Sequence, residues 1–332
     1  MFNLKFKKLF GFLGLFALIF TTLSGQSFAK KHPTYASKNC NGKIQVVIHA
    51  SYGGGTDTTA RMMSIRTRRT LNTDIQIVGK RGGSGAKAQN YTLTRPKDGC
   101  TIMALTESHL YTMARGKSNM KIDDLVGVAR AMEEPTFVVV NAKNKELSTV
   151  KKMIKRAQKK PISVAIASIG GTEHIGMYSY SKAANIPFKA VSFGSGAQSL
   201  QALASGKVEA SLLNPSEAAA LIADKKIKAI VLLHDKALAD YPKVKTSYSM
   251  GHKVKVVTTR GYAVLKGTPQ SVIDEISKGM VKAMKHETFG NYLKGASLDP
   301  ATSPAGTKVW DKQLKENYKK AAAALKGLGL TK

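Results

Sequence analysis

A strand-like run from Lys43 to Ala50 passes through Ser51-Tyr52-Gly53-Gly54-Gly55-Thr56-Asp57 into a helix-like run from Thr58 to Leu71. Glycines at such a turn let backbone approach a ligand closely, and the helix start beyond offers unpaired N–H groups at the positive end of a dipole. The segment therefore reads either as an anion seat or as a tight turn. Related turns recur along the chain. Arg81-Gly82-Gly83-Ser84-Gly85 follows the strand-like Asp74 to Gly79, and Ser168-Ile169-Gly170-Gly171-Thr172 follows Ile162 to Ala167. Ser192-Phe193-Gly194-Ser195-Gly196-Ala197 repeats the pattern more loosely after Val191. Strand, turn and helix alternating in this way build parallel sheets, so the chain reads as α/β.

Two apolar extended runs, Thr136 to Asn141 and Thr259 to Leu265, bracket the middle block. They predict a two-domain chain that crosses over and back. Residues 30–135 and 262–332 form the first domain, 136–261 the second, and the ligand cleft lies between. Helices are predicted over Ala86 to Thr94, Thr149 to Lys160, Glu173 to Ala184, Gln198 to Ser205 and Gln270 to Met284. The strand Glu209 to Leu213 ends at Asn214-Pro215-Ser216, which puts Asn214 at the expected cleft side or in a plain turn.

Residues 1–29 read as a secretory signal: Lys5, Lys7 and Lys8 ahead of the apolar Leu9 to Phe20, then Ser27-Phe28-Ala29 as a small-x-small cleavage site. The apolar core is short for a membrane span, and neither cysteine stands in a lipoprotein position. A soluble periplasmic protein, cleaved after Ala29, is the expectation. The net charge of +31 first suggests nucleic acid. The lysines, however, form no arm, are not interleaved with aromatics and belong to an exported chain; no nucleic-acid partner is expected, and charge-driven nucleic-acid binding, which added salt would abolish, is the weaker alternative. Cys40 and Cys100 each precede a strand-like run by a few residues. Neighbouring parallel strands would bring those starts together, so an oxidising compartment favours a Cys40–Cys100 disulfide over two buried thiols.

Catalytic motifs do not appear. Gly82-Gly83-Ser84-Gly85-Ala86 lacks the last glycine of a nucleophile elbow, no lysine follows a glycine run as in a P-loop, and His286-Glu287 reaches Gly290 where a zincin places its second histidine. Seven scattered histidines and two cysteines support no metal site. Neither enzyme activity nor a cofactor is expected.

Several segments taken in order resemble the extracytoplasmic solute-binding receptors of tripartite tricarboxylate transporters, the TctC or Bug family. They are Gly53-Gly54-Gly55-Thr56-Asp57 with Ala60-Arg61; Arg81-Gly82-Gly83-Ser84-Gly85; Pro96-Lys97-Asp98-Gly99; Thr172-Glu173-His174; Phe193-Gly194 with Ala202 to Val208; Tyr241 to Thr246; and Gly267-Thr268-Pro269. The resemblance covers nearly all of the chain beyond the signal. It implies a periplasmic-binding-protein clamshell, a Venus flytrap with two crossover strands. Such a protein, expected as a monomer, closes on a small di- or tricarboxylate or related acid and delivers it to membrane permease subunits.

In such receptors backbone N–H groups and hydroxyls hold the carboxylate, and arginine is not required. The candidate ligand set is Tyr52, Gly53, Gly54, Gly55, Thr56, Asp57, Ser168, Gly170, Gly171, Thr172, Ser192, Phe193, Gly194, Ser195 and Asn214. Within it Thr56, Ser168, Thr172, Ser192 and Ser195 offer hydroxyls, Thr56 and Thr172 being equally readable as N-caps. Tyr52 would cover part of the ligand, whereas Asp57 suits ordering the turn. His174 reads as a packed helix residue. Ser51-Tyr52 and Val191-Ser192-Phe193-Gly194 depart from the family's usual residues, so specificity does not carry over. Glu107 and Glu173 fall near the cleft turns and read as a solvated rim. Were they inside, an ammonium would suit them, which keeps a zwitterionic amino acid as an alternative ligand beside a periplasmic enzyme as an alternative function.

Overall fold

The structure, a computed structural model, describes residues 34–330. The signal sequence and its cleavage after Ala29 lie outside the described residues. From Thr34 the chain forms α1 (Tyr35–Asn39), β1 (Lys43–Ile48), α2 (Gly55–Thr70), β2 (Asp74–Gly79), α3 (Ala86–Leu93), β3 (Thr101–Leu105) and α4 (Glu107–Ala114). A long strand β4 (Leu125–Pro135) then leads directly into β5 (Phe137–Asn141). The middle block comprises α5 (Val150–Lys159), β6 (Ile162–Ile166), α6 (Thr172–Ala184), β7 (Phe188–Ser192), α7 (Gly196–Ala204), β8 (Ala210–Leu213), α8 (Pro215–Ala223) and β9 (Ile227–Leu232). The return strand β10 (Val257–Leu265) is followed by α9 (Gln270–Met284), α10 (Glu287–Gly295), β11 (Ala305–Gly306) and α11 (Thr307–Gly327).

Two sheets result, with strand orders β11-β4-β10-β3-β1-β2 and β7-β6-β8-β5-β9. In the first, β1 lies parallel to β2 and β3, while β10 runs antiparallel to β3 and β4. In the second, β6 lies parallel to β7 and β8, and β5 is antiparallel to β8 and β9. Each sheet is buried on both faces. Along β1, Ile44, Val46 and Ile48 enter one core and Val47 another. Along β5, Val138 and Val140 face one core and Phe137 and Val139 the other. That period-two alternation, with helices covering both faces, is why these strands read as unbroken apolar runs.

The chain changes sheets twice, and the two crossings touch. Leu233 N donates to Thr136 O at 2.8 Å, and Val256 N donates to Leu233 O at 2.8 Å. The return strand begins at Val257, and residues 257–261 pair with Met132 to Pro135 and Arg130 of β4, inside the first sheet. Cys40 and Cys100 form a disulfide. They stand just before β1 and β3, which are parallel neighbours, and Gln45 N donates to Cys100 O at 2.8 Å.

Candidate ligand-binding site

Between the carboxyl ends of the two sets of parallel strands lies a cavity of about 680 Å³. Such ends are where open α/β sheets bind ligands. The first sheet contributes His49, Ser51, Gly54, Gly55 and Thr56 after β1, Arg81 to Gly85 after β2, and Thr106 and Ser108 after β3. From the second come Ser168, Thr172 and Glu173 after β6, Ser192 to Gly196 and Gln198 after β7, and Glu217 on α8. Thr258 and Arg260 of the return strand complete the wall.

The starts of α2, α6 and α7 all border this cavity, so the glycine turns do converge. Gly54, Gly55, Thr56, Ser168, Thr172, Ser192, Phe193, Gly194 and Ser195 line it together. The N-caps of α2 and α6 are Gly54 and Gly171, which removes the capping alternative for Thr56 and Thr172. Ser195 is itself an N-cap, its Oγ accepting from Gln198 N at 3.3 Å. The Thr172 and Ser108 hydroxyls lie 3.1 Å apart, and Ser192 Oγ donates to Ala167 O at 3.0 Å.

Other candidates stand outside the lining. Tyr52 is 53% exposed, its hydroxyl accepts from Gly79 N at 3.1 Å, and the Arg61 and Arg81 guanidiniums lie over its ring. Gly53 carries the left-handed φ of the turn, +81°, whereas Gly54 has an ordinary φ of −77°. Asp57 orders the turn: its carboxylate accepts from Gly53 N at 2.8 Å and from Arg61 Nε at 2.9 Å. Gly170 gives its carbonyl to Arg115 Nη2 at 3.0 Å and its N–H to His174 Nδ1 at 3.0 Å, so His174 too serves the turn. Gly171 closes that turn by donating to Ser168 O at 3.1 Å. Asn214 is buried at the crossover, donating to Pro135 O at 2.9 Å and accepting from Arg260 Nη2 at 3.1 Å.

The floor holds a charged cluster that the sequence reading missed. Arg260 pairs with Glu134, and both are buried. Burial works against the Arg260 charge, but Glu134 and then Glu217 outweigh it and its pKa is raised. Burial raises the Glu134 pKa, with Arg260 opposing, and Ser216 donates to the carboxylate through both N–H and hydroxyl at 3.0 Å. Glu217 reaches across the cleft, where its Oε1 accepts from Gly55 N at 3.2 Å while Oε2 accepts from Asn214 N at 3.2 Å. Its carboxylate also fills the space a Cβ would need at Gly196. The chain's own acid thus takes one of the α2 amides that the glycine turn was expected to keep for a ligand. Glu217 was legible as the fourth residue of the capping box Asn214-Pro215-Ser216-Glu217. Glu134 and Arg260 carry no such local signal.

The solvated-rim reading of Glu107 and Glu173 is corrected. Both are half-buried, and burial pushes each carboxyl up to about 7, helped at Glu173 by Glu217. Glu173 lines the cavity, whereas Glu107 faces a second cavity, on which Tyr111, Glu133 and Lys312 also border, and accepts from Thr259 N at 2.7 Å. His49 is held neutral, its pKa lowered to about 4 by burial and then by Arg260. No group of three metal-ligating side chains occurs among the described residues.

Further contacts bridge the cleft. Ser51 Oγ donates to Gln198 Oε1 at 3.1 Å, and Ser84 Oγ donates to Ile169 O at 2.6 Å. A Cβ at Gly54 would lie 3.0 Å from Ser195 Cβ, so the turn after β1 meets the turn after β7 closely.

The model of the tripartite tricarboxylate transporter family receptor, TctC, matches residues 59–330. The chain belongs to this family. A curated relative, protein BugT of Bordetella pertussis, is 22% identical over 277 residues, 80% of this chain and 82% of its own. Two solved structures share the fold: MatC of Rhodopseudomonas palustris with bound malate, at a TM-score of 0.79, 20% identity and coverage of 85% and 98% of the two chains, and the periplasmic binding protein BugD, at 0.81, 19%, and 87% and 98%. The fold is the two-domain α/β architecture of periplasmic binding proteins.

Proposed function

We propose that the chain is an exported receptor that captures a small carboxylate in the cavity between the two sheets and presents it to a tripartite tricarboxylate permease. The observation that carries this reading is the convergence of three helix starts and the hydroxyls of Thr56, Ser168, Ser108 and Ser192 on one cavity. N–H groups at helix starts stabilise an anion without a buried bidentate arginine, which suits capture followed by release. Family membership and the malate bound to MatC support the ligand class. The lobes divide where the chain changes sheets, near 135/136 and 256/257, and hinge there. The signal directs the chain to the periplasm and is removed after Ala29.

A thermal-shift screen of mono-, di- and tricarboxylates and amino acids tests the proposal. An acid that raises Tm and is recovered unchanged fits a receptor; conversion to product would make the chain an enzyme. With that acid, Thr56→Val is expected to weaken binding about tenfold, the loss of one hydrogen bond to a charged group. Unaltered affinity would remove Thr56 from the site.

A further inference from the structure

Four side chains of opposite charge reach the cavity wall, and three of them are already engaged. Arg260 is held by Glu134 and Asn214. Glu217 is held by the N–H groups of Gly55 and Asn214. Arg81 donates to Ser51 Oγ at 3.3 Å and lies over the Tyr52 ring. The fourth is Glu173, the second residue of α6. Its Oε2 is shut off from solvent and has no hydrogen-bond partner among the described residues. A buried carboxyl oxygen left this way is costly, because it has given up water without gaining a donor.

On the receptor reading above, we infer that Glu173 selects a ligand that carries an ammonium group beside its carboxylate, the ammonium donating to Glu173 while the carboxylate takes the hydroxyls and helix-start amides. The ligand would then supply the missing donor and the countercharge together. A second carboxylate in the same position would meet Glu173 and Glu217 as like charges. Glu173 could tolerate it only by keeping its proton, which the carboxyl's rise to about 7 allows at an energetic cost above that pH. Arg260 offsets part of this repulsion, but its charge is already engaged by Glu134.

Calorimetry at pH 7.5 on the signal-free chain decides, using matched pairs: aspartate against malate and succinate, glutamate against glutarate, alanine against propionate. The amino member of at least one pair is expected to bind about ten- to a hundredfold tighter, the worth of a hydrogen bond between charged groups. Glu173→Gln, which keeps the side chain's shape, is expected to abolish that preference while leaving the des-amino acid bound as well or better. Equal or tighter binding of the des-amino acid to the unmodified chain would overturn the inference and leave the carboxylate receptor standing. So would an unchanged preference in Glu173→Gln, which would mean that only water satisfies Oε2. If no acid of either kind binds, the receptor reading falls and the inference falls with it.

Discussion

Arg260→Met is expected to cost about 3–5 kcal/mol of folding stability, because it leaves Glu134 buried without its countercharge. Glu134 cannot turn to water: it is fully buried on β4, and its remaining donors are the N–H and hydroxyl of Ser216. Glu217 also loses the positive charge it faces, and Asn214 loses the donor to its Oδ1. The double variant Glu134→Gln/Arg260→Met should recover most of the loss, since neither buried charge then remains. Denaturant unfolding of both variants checks this. A cost below about 1 kcal/mol for Arg260→Met would mean that the pair is hydrated in solution and contributes little.

Removing the disulfide, by Cys40→Ser/Cys100→Ser, is expected to lower stability by about 4 kcal/mol, the chain-entropy value for a loop spanning 60 residues. The folded state should survive. β1 remains paired to both β2 and β3, and α1 is still held by Glu275, which accepts from Tyr35 N at 2.9 Å. The far-UV spectrum should therefore be unchanged while the unfolding midpoint falls, and reduction of the unmodified protein should reproduce the shift. No change in midpoint would show that the unfolded chain is already compact across this loop.

The units most legible in the sequence were those whose information is local. Strand, glycine turn and helix follow one another within about twenty residues, so β1 to α2, β6 to α6 and β7 to α7 could be read together with the side of the sheet they share. The disulfide, though it spans 60 residues, was legible because each cysteine stands just before a strand and parallel neighbours bring those starts together. β4 was not, because Arg130, Glu133 and Glu134 interrupt its apolar run. Their partners lie far away in sequence: Arg260 meets Glu134 across 126 residues, and Gln313 meets Glu133 across 180. Tyr52 and Asn214 illustrate the converse. Their polar groups suit a ligand, but Gly79 N and Arg260 reach them first, and composition cannot say which donor arrives. Glu173 was placed near the cleft turns by its position and read as a solvated rim; only the packed structure shows it lining the cavity with its Oε2 shut off from solvent.

If the cavity between the two sheets holds the ligand, the glycine turn after β1 must close against the turn after β7. Titration calorimetry of the best acid from the screen, run on the unmodified chain and on Gly54→Val, tests it most directly. Valine at 54 would press on Ser195 Cβ and on Ser51 O, 3.0 and 3.2 Å from its Cβ, and hold the cleft ajar without straining a left-handed backbone. One-to-one binding is expected in the unmodified chain, with at least a tenfold loss, about 1.4 kcal/mol, in a Gly54→Val variant of the same circular dichroism. Undiminished affinity in that folded variant would contradict it.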